Sequence, residues 1–253
     1  MNAPAVAHPC PVCGAATVIH DVVDFNKSCE EARRYFLPLS GRAVYYHRCP
    51  ACAFTLAPEL CGWSDQEFQQ HIYNQRYIDI DPDYVSKRPL ANADFLQRLF
   101  GDGKAAIRHL DYGGGSGLLS QTLRLHGWDS SSYDPFPRNG QRLDELGRFN
   151  LISAFEVFEH VPDPAELMQN ITALMADECV VIFSTLLSDG HIEPNRRLTW
   201  WYAAPRNGHI SLFSKQSLIV LAERHGLQFG SFNNVTHCLF NRLPPWATKL
   251  TGA

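Results

Sequence analysis

From position 107 onward, short segments of strand type alternate with segments whose apolar residues have helical spacing. "IRHLDY", "DSSSYD", "FNLISAF" and "ECVVIFST" predict strands, and "LQFGSFNNVTHCLFNR" predicts a closing hairpin. "LLSQTLRLHG", "DPAELMQNITALM" and "SKQSLIVLAERHG" predict helices. Regular alternation of this kind predicts an α/β fold, a parallel sheet with helices wound on both of its faces.

The segment before this alternation has a different pattern. Ser64 with Glu67 three residues later is a capping box and predicts a helix start. A second helix follows, with Leu90, Phe95, Leu96, Leu99 and Phe100 on one apolar face and Gly101 at its end. We therefore expect three parts: a cysteine-rich module at 1–62 that contains a strand at "RAVYYHRC", a helical linker at 63–104, and a main domain at 105–253.

One long insertion interrupts the main domain, "LLSDGHIEPNRRLTWWYAAPRNGH". Long irregular segments in compact domains are usually lids or binding loops. Trp200, Trp201 and Tyr202 can stack on a sugar or an aromatic ligand, or they can anchor the segment on the core. Arg196 and Arg197 can hold a phosphate or carboxylate, or form an ordinary solvated pair.

Cysteines concentrate near the N-terminus in two CxxC pairs, Cys10 with Cys13 and Cys49 with Cys52. Two such pairs are the ligand spacing of a structural zinc site, because each tight turn aims both thiolates at one ion. A redox role is the alternative. Four protein ligands would leave no open position for catalysis, and we expect Cys29 and Cys61 to be buried thiols.

Composition restricts the possible partners. The chain has 253 residues, 45% of them hydrophobic, and a net charge of −4, which gives no electrostatic basis for binding nucleic acid. No signal peptide is evident in "MNAPAVAHPC", and the longest apolar run, "CVVIF", is too short to cross a membrane. These features predict a cytoplasmic protein without a membrane partner, and they do not define its oligomeric state.

The segment "HLDYGGGSGLLS" holds the most specific chemistry of the chain. A P-loop requires a lysine that is missing here, and the dinucleotide fingerprint GxGxxG fails from either starting glycine. What remains is an acid followed by alternate glycines: Asp111, Gly113, Gly115 and Gly117. Such a turn, without a strong phosphate clamp, suits a nucleoside-like ligand that carries an amino-acid tail.

This set resembles the class I S-adenosylmethionine-dependent methyltransferases of the small-molecule branch. "LDYGGGSG" is similar to their first motif, "SYDPF" provides an acid for the ribose hydroxyls, and "FNLISAFEVFEHVPDP" and "GHISLFSKQSLIVLAERHGL" resemble later segments; together these cover 107 to about 240. The resemblance implies a Rossmann-like sheet and S-adenosylmethionine as cofactor. It implies that the cofactor is held by Asp111, Gly113, Gly114, Gly115, Gly117, Asp134, Phe155 and Glu156.

Two further features refine the resemblance. The cysteine-rich start resembles the zinc-binding module of bacterial sugar C-methyltransferases. The segment between Asp134 and Phe149 is short, so the usual third strand and its adenine-side acid are hard to place, and Asp144 is the one candidate.

The acceptor site requires a base for an O, N or C atom that loses a proton. His209 in the insertion and His160 beyond the fourth strand are the candidates, and His191 ranks third. Glu156 at the end of the fourth strand can orient the acceptor, contact the cofactor or cap the structure. Because clustered Asp and Asn ligands are missing near that strand, we expect metal-independent transfer.

Three functions stay open from the sequence. The first is methyl transfer to a small polar acceptor such as a nucleotide-linked sugar or a natural-product intermediate. The second is methyl transfer to a protein or carrier-bound substrate docked by the zinc module. The third is a non-catalytic binding protein of the same fold, which the complete cofactor motif disfavours.

Overall fold

A computed structural model describes residues 8–136 and 142–251. Residues 1–7, to which the expectation about a signal peptide mainly refers, lie outside this range, as do 137–141 and 252–253. No helix in the described residues has the length and apolar composition needed to cross a bilayer.

The chain folds into two compact units, each of which gathers segments that are distant in sequence. The first unit comprises Met1–Asp81, Phe158–Leu167 and Leu186–Leu221. The second comprises Pro82–Val157, Met168–Thr185 and Ala222–Ala253. This grouping differs from the predicted consecutive ranges 1–62, 63–104 and 105–253, because the long insertion belongs with the cysteine-rich segment.

The ten strands of the described residues divide between two sheets. They are β1 (Val18–Asp24), β2 (Ala43–Arg48), β3 (Thr55–Leu56), β4 (Arg108–Tyr112), β5 (Asp129–Tyr133), β6 (Phe149–Phe155), β7 (Met175–Ser184), β8 (Ser211–Leu212), β9 (Gln228–Ser231) and β10 (Thr236–Phe240).

The sheet of the first unit is antiparallel and has the strand order β1-β2-β3-β8. β8 pairs with β3, with Thr55 opposite Leu212. The residues directly after the insertion therefore supply an edge strand to the cysteine-rich segment. Residues 202–209 of the insertion and the following residues 210–214 are all buried, so the end of the insertion belongs to the core of this unit.

The sheet of the second unit has the order β5-β4-β6-β7-β10-β9. β4, β5, β6 and β7 are parallel, and β10 is antiparallel to both of its neighbours. This confirms the predicted α/β class and the closing hairpin. Between Asp134 and Phe149, the described residues contain the 3-10 turn Leu143–Glu145 and no strand.

Seven α-helices accompany the two sheets in the described residues. They are α1 (Pro58–Cys61), α2 (Asp65–His71), α3 (Tyr77–Ile80), α4 (Lys87–Phe100), α5 (Leu118–Leu125), α6 (Pro164–Leu174) and α7 (Lys215–Arg224). The capping box at α2 is present as predicted, with the Ser64 hydroxyl accepting from the Glu67 N–H. Along α4, Leu96 and Phe100 are buried, whereas Leu90, predicted on the apolar face, is 43% exposed.

The core of the second unit explains why these elements form. α4 and α5 bury apolar side chains against the face of the parallel sheet, and β6 and β7 are buried along most of their length. Strands buried on both faces carry continuous apolar runs, which is the pattern of "CVVIF". The rigid centre of the sheet therefore fixes the loops at the carboxyl ends of β4, β5 and β6.

Candidate functional site

The glycine-rich turn connects β4 to α5 in the second unit. Gly113, Gly115 and Gly117 have φ angles of +73°, +54° and +76°, a region that strains other residues. A Cβ on Gly113 would lie 2.5 Å from a methyl carbon of Val157, and one on Gly114 would overlap Ser132. A Cβ on Gly115 would approach nothing closer than 4.0 Å. Tight packing therefore explains Gly113 and Gly114, and Gly115 borders open space.

Asp134 follows β5 and lies beside this turn. Its carboxylate accepts the Gly115 N–H at 2.7 Å and the Phe136 N–H at 2.8 Å. Burial raises the pKa of Asp134. A carboxylate next to exposed main chain suits a vicinal diol, because each hydroxyl can donate a charge-assisted hydrogen bond.

A buried polar chain supports the turn from below. Ser153 donates to Asp111 at 2.6 Å, and His109 is 3.0 Å from Ser153 through Nε2 and 2.8 Å from Ser130 through Nδ1. Because the Ser153 hydroxyl donates to the carboxyl group, it accepts from His109, which fixes the Nε2-protonated tautomer. This hydrogen-bonded chain was not predicted, although two polar residues at alternate positions of a buried strand, His109 and Asp111, were a usable signal in the sequence.

Glu156 follows β6 and has a left-handed backbone, with a φ of +55°. Its N–H donates to the Ser184 hydroxyl at 2.9 Å, which in turn donates to its carboxylate at 3.0 Å. Strain at a non-glycine residue is typical of functional sites. Phe155, the other predicted contact here, packs edge-to-face on Phe95 with ring centroids 6.2 Å apart.

These groups meet at one edge of the sheet, because β5, β4 and β6 are adjacent and parallel. Ligands of open α/β sheets bind outside the carboxyl ends of the strands. Exposed main chain at Gly115 and the carboxylate of Asp134 fit a nucleoside with a polar tail, so these residues fit S-adenosylmethionine.

The four predicted zinc ligands come together in the first unit. Their sulfurs lie within 4.8 Å of one another, with Cys10 3.7 Å from Cys52 and Cys13 3.4 Å from Cys49. Zinc–sulfur bonds of about 2.3 Å in a tetrahedron place sulfurs roughly 3.8 Å apart. The hydrogen bond between Cys10 and Cys52 lowers the pKa of Cys10 to about 5 and raises the pKa of Cys52. The spacing of the four sulfurs therefore fits one tetrahedral zinc ion.

The two CxxC turns have the same backbone design. The Gly14 N–H donates to the Cys10 carbonyl at 2.8 Å, and the Ala53 N–H donates to the Cys49 carbonyl at 2.9 Å. Both closing residues are left-handed, with φ angles of +83° and +59°. The alanine in the second turn thus keeps the geometry at the cost of backbone strain.

The two histidines predicted as alternative bases are neighbours in the first unit. The rings of His160 and His209 lie 4.9 Å apart. His209 Nδ1 is 2.9 Å from the Tyr202 carbonyl, which can only accept. Nδ1 therefore carries the proton, and Nε2 carries the lone pair that can take one from a substrate.

Glu159 completes this histidine cluster, which we define as Glu159, His160 and His209. Glu159 is fully buried and accepts the Tyr202 hydroxyl at 2.6 Å. One ligand atom from each member of the cluster lies within 4.8 Å of the others, a spacing that can hold a cation or stabilise an imidazolium. Tyr73 contacts His160 Nδ1 at 3.0 Å. These two histidines were predictable from their positions in the sequence, but their contacts with Tyr73 and Tyr202 were not.

Other predicted residues have ordinary surface or packing roles. Arg196 pairs with Glu193 at 2.9 Å, Arg197 pairs with Asp21 at 2.8 Å, and both arginines are mostly exposed. His191 is exposed and stacks on Trp200 with ring centroids 4.7 Å apart. These contacts support the solvated-pair interpretation of the two arginines.

The remaining predicted side chains also have packing or surface roles. Trp200 and Tyr202 are buried, so both anchor the insertion, as one of the two interpretations predicted. Asp144 is exposed and pairs with Arg142 at 2.7 Å. Cys29, which lies 3.7 Å from His209, and Cys61 are both half-buried rather than buried as predicted.

A family model for a methyltransferase domain matches residues 84–230, more than half of the chain. The chain belongs to this family. The methyltransferase domain match begins in the segment before α4 and ends in β9, and it includes the glycine-rich turn, Asp134 and the histidine cluster. The class I methyltransferase resemblance is thereby confirmed at the level of the family.

Curated relatives are similar to this chain over part of their length. A ubiquinone biosynthesis O-methyltransferase of Bordetella pertussis is 30% identical, in an alignment that covers 31% of this chain and 42% of that protein. That of Pseudoalteromonas translucida is 26% identical, with coverages of 44% and 58%. The chain thus spans about two fifths to three fifths of these two curated relatives.

A solved structure supports the fold of the chain. An O-methyltransferase family protein from Burkholderia thailandensis superposes with a TM-score of 0.50 at 15% identity. The superposition covers 74% of this chain and 67% of that one. At this identity the likeness establishes the common fold.

Proposed function

We propose that the protein is an S-adenosylmethionine-dependent methyltransferase that acts on a small polar acceptor, such as a nucleotide-linked sugar or a natural-product intermediate. The observation that carries this proposal is the open main chain at Gly115 beside the carboxylate of Asp134, in a chain of the methyltransferase domain family. Asp111, the glycines of the turn, Asp134, Phe155 and Glu156 are the proposed cofactor residues.

When bound, S-adenosylmethionine would supply a methyl group on a positively charged sulfur. A nucleophile that attacks the methyl carbon in line displaces the sulfur as the leaving group. The protein's contribution is alignment of the partners and exclusion of water. Asp134 orients the ribose, while the buried chain from Ser130 to Asp111 holds the turn rigid. No metal ion is required for this step, so we propose metal-independent transfer.

His209 is the proposed base. Its Nδ1–H is held by the Tyr202 carbonyl, so Nε2 takes the proton from the acceptor. The Glu159 carboxylate then stabilises the imidazolium, and His160 is the second candidate for the same step. A positioned base typically contributes about 10²- to 10⁴-fold in rate.

The burial of His209 favours a small acceptor over a macromolecule. The residue is 5% exposed, so an acceptor atom reaches it only in a narrow space. Docking of a protein or carrier by the cysteine-rich segment is the second candidate, and the net charge of −4 does not oppose it.

We further infer that Cys10, Cys13, Cys49 and Cys52 bind one structural zinc ion. The spacing of the sulfurs supports this. With four thiolate ligands the ion has no open coordination position, so its role is to hold the two CxxC turns together.

The decisive test is methyl transfer by His209→Gln and His160→Gln with a panel of small acceptors, followed by mass spectrometry for the gain of one methyl group. We expect His209→Gln to lose about 10²- to 10⁴-fold in kcat, with cofactor affinity unchanged. The exposed His191→Gln is the matched control and keeps the wild-type rate. Full activity of both His209→Gln and His160→Gln would exclude the histidine base.

The same methyl-transfer assay tests the metal-independent mechanism, and a binding measurement tests the scaffold alternative. The rate is expected to be equal with and without added magnesium or manganese. A protein that binds neither cofactor nor its demethylated product at millimolar concentration, with zinc present, would be a scaffold and not an enzyme.

A further inference from the structure

Arg206 is a buried cation in the first unit. It lies in the 3-10 turn Pro205–Asn207, and only 8% of its surface is exposed. Its side chain makes one hydrogen bond to the described residues, from Nη1 to the Ile72 carbonyl at 3.3 Å. A guanidinium group has five N–H donors, so most of its hydrogen-bonding capacity is unused.

No carboxylate of the described residues lies within 4.0 Å of the Arg206 guanidinium, in contrast to Arg196 and Arg197 on the surface. Burial lowers the pKa of Arg206; the Tyr77 side chain opposes this shift, and the positive charge of Arg76 adds to it. The two acids that follow Tyr77, Asp79 and Asp81, have other partners. Asp79 lies 3.8 Å from Arg76, and Asp81 accepts the Tyr77 hydroxyl at 3.5 Å.

Charged side chains are rarely buried without a counter-ion, because desolvation strongly disfavours the unpaired ion. Arginine in particular matches the planar, two-oxygen face of a carboxylate or phosphate. A buried arginine near a second cation is therefore expected to have an anionic ligand.

We propose that Arg206 binds an oxyanion, a phosphate or carboxylate, of the methyl acceptor. The proposal rests on the proposed function and defines its substrate class. A short turn joins Arg206 to the proposed base, with Gly208 N–H bonded to Pro205 O at 2.9 Å and His209 N–H bonded to Ala204 O at 3.2 Å. The anion site and the base are thus held on one rigid segment.

The competing explanation is structural. Ile72 is the C-terminal capping residue of α2, and a cation that donates to the last carbonyls of a helix stabilises it. Under that explanation, removing Arg206 lowers stability and leaves anion binding unchanged.

The experiment titrates the zinc-loaded full chain with methyl phosphate and, separately, with acetate, at constant ionic strength, and follows calorimetric heat and melting temperature. Wild type is expected to bind at least one of the two probes and to melt at a higher temperature when it is bound. Binding of methyl phosphate alone identifies a phosphate ester, and binding of acetate alone identifies a carboxylate. Arg206→Met is expected to weaken binding at least tenfold without lowering the melting temperature of the ligand-free protein.

Arg196→Met, which removes an exposed arginine, is the matched control and keeps wild-type binding. If Arg206→Met does not fold, Arg206→Lys keeps the charge but not the two-oxygen contact, and a loss of at least fivefold is expected. Unchanged binding in Arg206→Met, or in Arg206→Lys where that variant replaces it, would overturn the proposal. Failure of the wild type to bind either probe would also overturn it. Binding of S-adenosylhomocysteine is measured in parallel. If it binds and neither probe does, the anion site is excluded while the proposed function is retained; if it does not bind, the proposed function itself fails.

Discussion

At the scale of single residues, burial changes the charge of the side chains under the glycine-rich turn. Asp111 is 4% exposed and His109 is not exposed at all. Burial raises the pKa of Asp111 to about 7, and it lowers the pKa of His109 to about 3. Both groups are therefore neutral in the folded protein at mildly acidic pH, which suits a hydrogen-bonded chain without a net charge.

The raised pKa of Asp111 makes stability depend on pH. Between pH 3.8 and about 7 the Asp111 carboxyl group is ionised in the unfolded chain but protonated in the folded protein. Its contribution to the free energy of unfolding is therefore complete at low pH and is lost as the pH rises. Asparagine cannot ionise. We expect Asp111→Asn to gain about 3 kcal/mol in unfolding free energy relative to wild type between pH 4 and pH 7.

Urea unfolding at several pH values in this range measures that difference. Asp129→Asn, on an exposed carboxyl group at the start of β5, is the control and is expected to show no such trend. A difference between Asp111→Asn and wild type that stays constant with pH would show that Asp111 is ionised in the folded protein.

Backbone strain gives a second prediction at this scale. Ala53 has a φ of +59°, whereas Gly14 closes the other CxxC turn at +83° with no atom near its missing Cβ. Ala53→Gly is expected to raise the unfolding free energy of the zinc-loaded protein by roughly 0.5–1 kcal/mol, because glycine adopts this angle without strain. Gly14→Ala is expected to lower it by a similar amount. Chemical denaturation measures both, and a destabilised Ala53→Gly protein would contradict this account.

At the scale of elements, the sequence predicts what is local. Strand and helix positions in the main domain follow from apolar spacing, and the Ser64–Glu67 box marks the start of α2. β8 could not be predicted, because a two-residue strand has no periodicity and its partner Thr55 lies far away in the sequence. The burial of residues 202–209 of the insertion could not be predicted for the same reason.

The CxxC turns are elements whose zinc can be measured directly. We expect one zinc ion per chain by elemental mass spectrometry, and loss of that zinc together with a lower melting temperature in Cys13→Ser. Cys61→Ser is the control and retains the metal, since Cys61 does not belong to the four-sulfur cluster. A protein purified without zinc, or zinc retained in Cys13→Ser, would contradict the proposed site.

At the scale of the whole molecule, residues distant in sequence form each site. The sequence predicted His160 and His209 as alternatives, whereas the fold places both beside Glu159. The residues of the proposed cofactor site could be grouped from the sequence because their motif is nearly continuous and adjacent strands end at one edge. Arg196 and Arg197 were predicted as candidate ligands of an anion, whereas Arg206 was not. Burial, which distinguishes Arg206, cannot be seen in a local run of polar residues.

The central claim is that the carboxyl edge of the sheet in the second unit binds S-adenosylmethionine. Titration calorimetry with S-adenosylhomocysteine tests it most directly, using wild type, Asp134→Ala and the control Asp129→Asn. We expect one binding site per chain, at least tenfold weaker binding in Asp134→Ala and unchanged binding in Asp129→Asn. Absence of binding at millimolar concentration, or preferential binding of a nicotinamide dinucleotide or a nucleoside triphosphate, would contradict the claim.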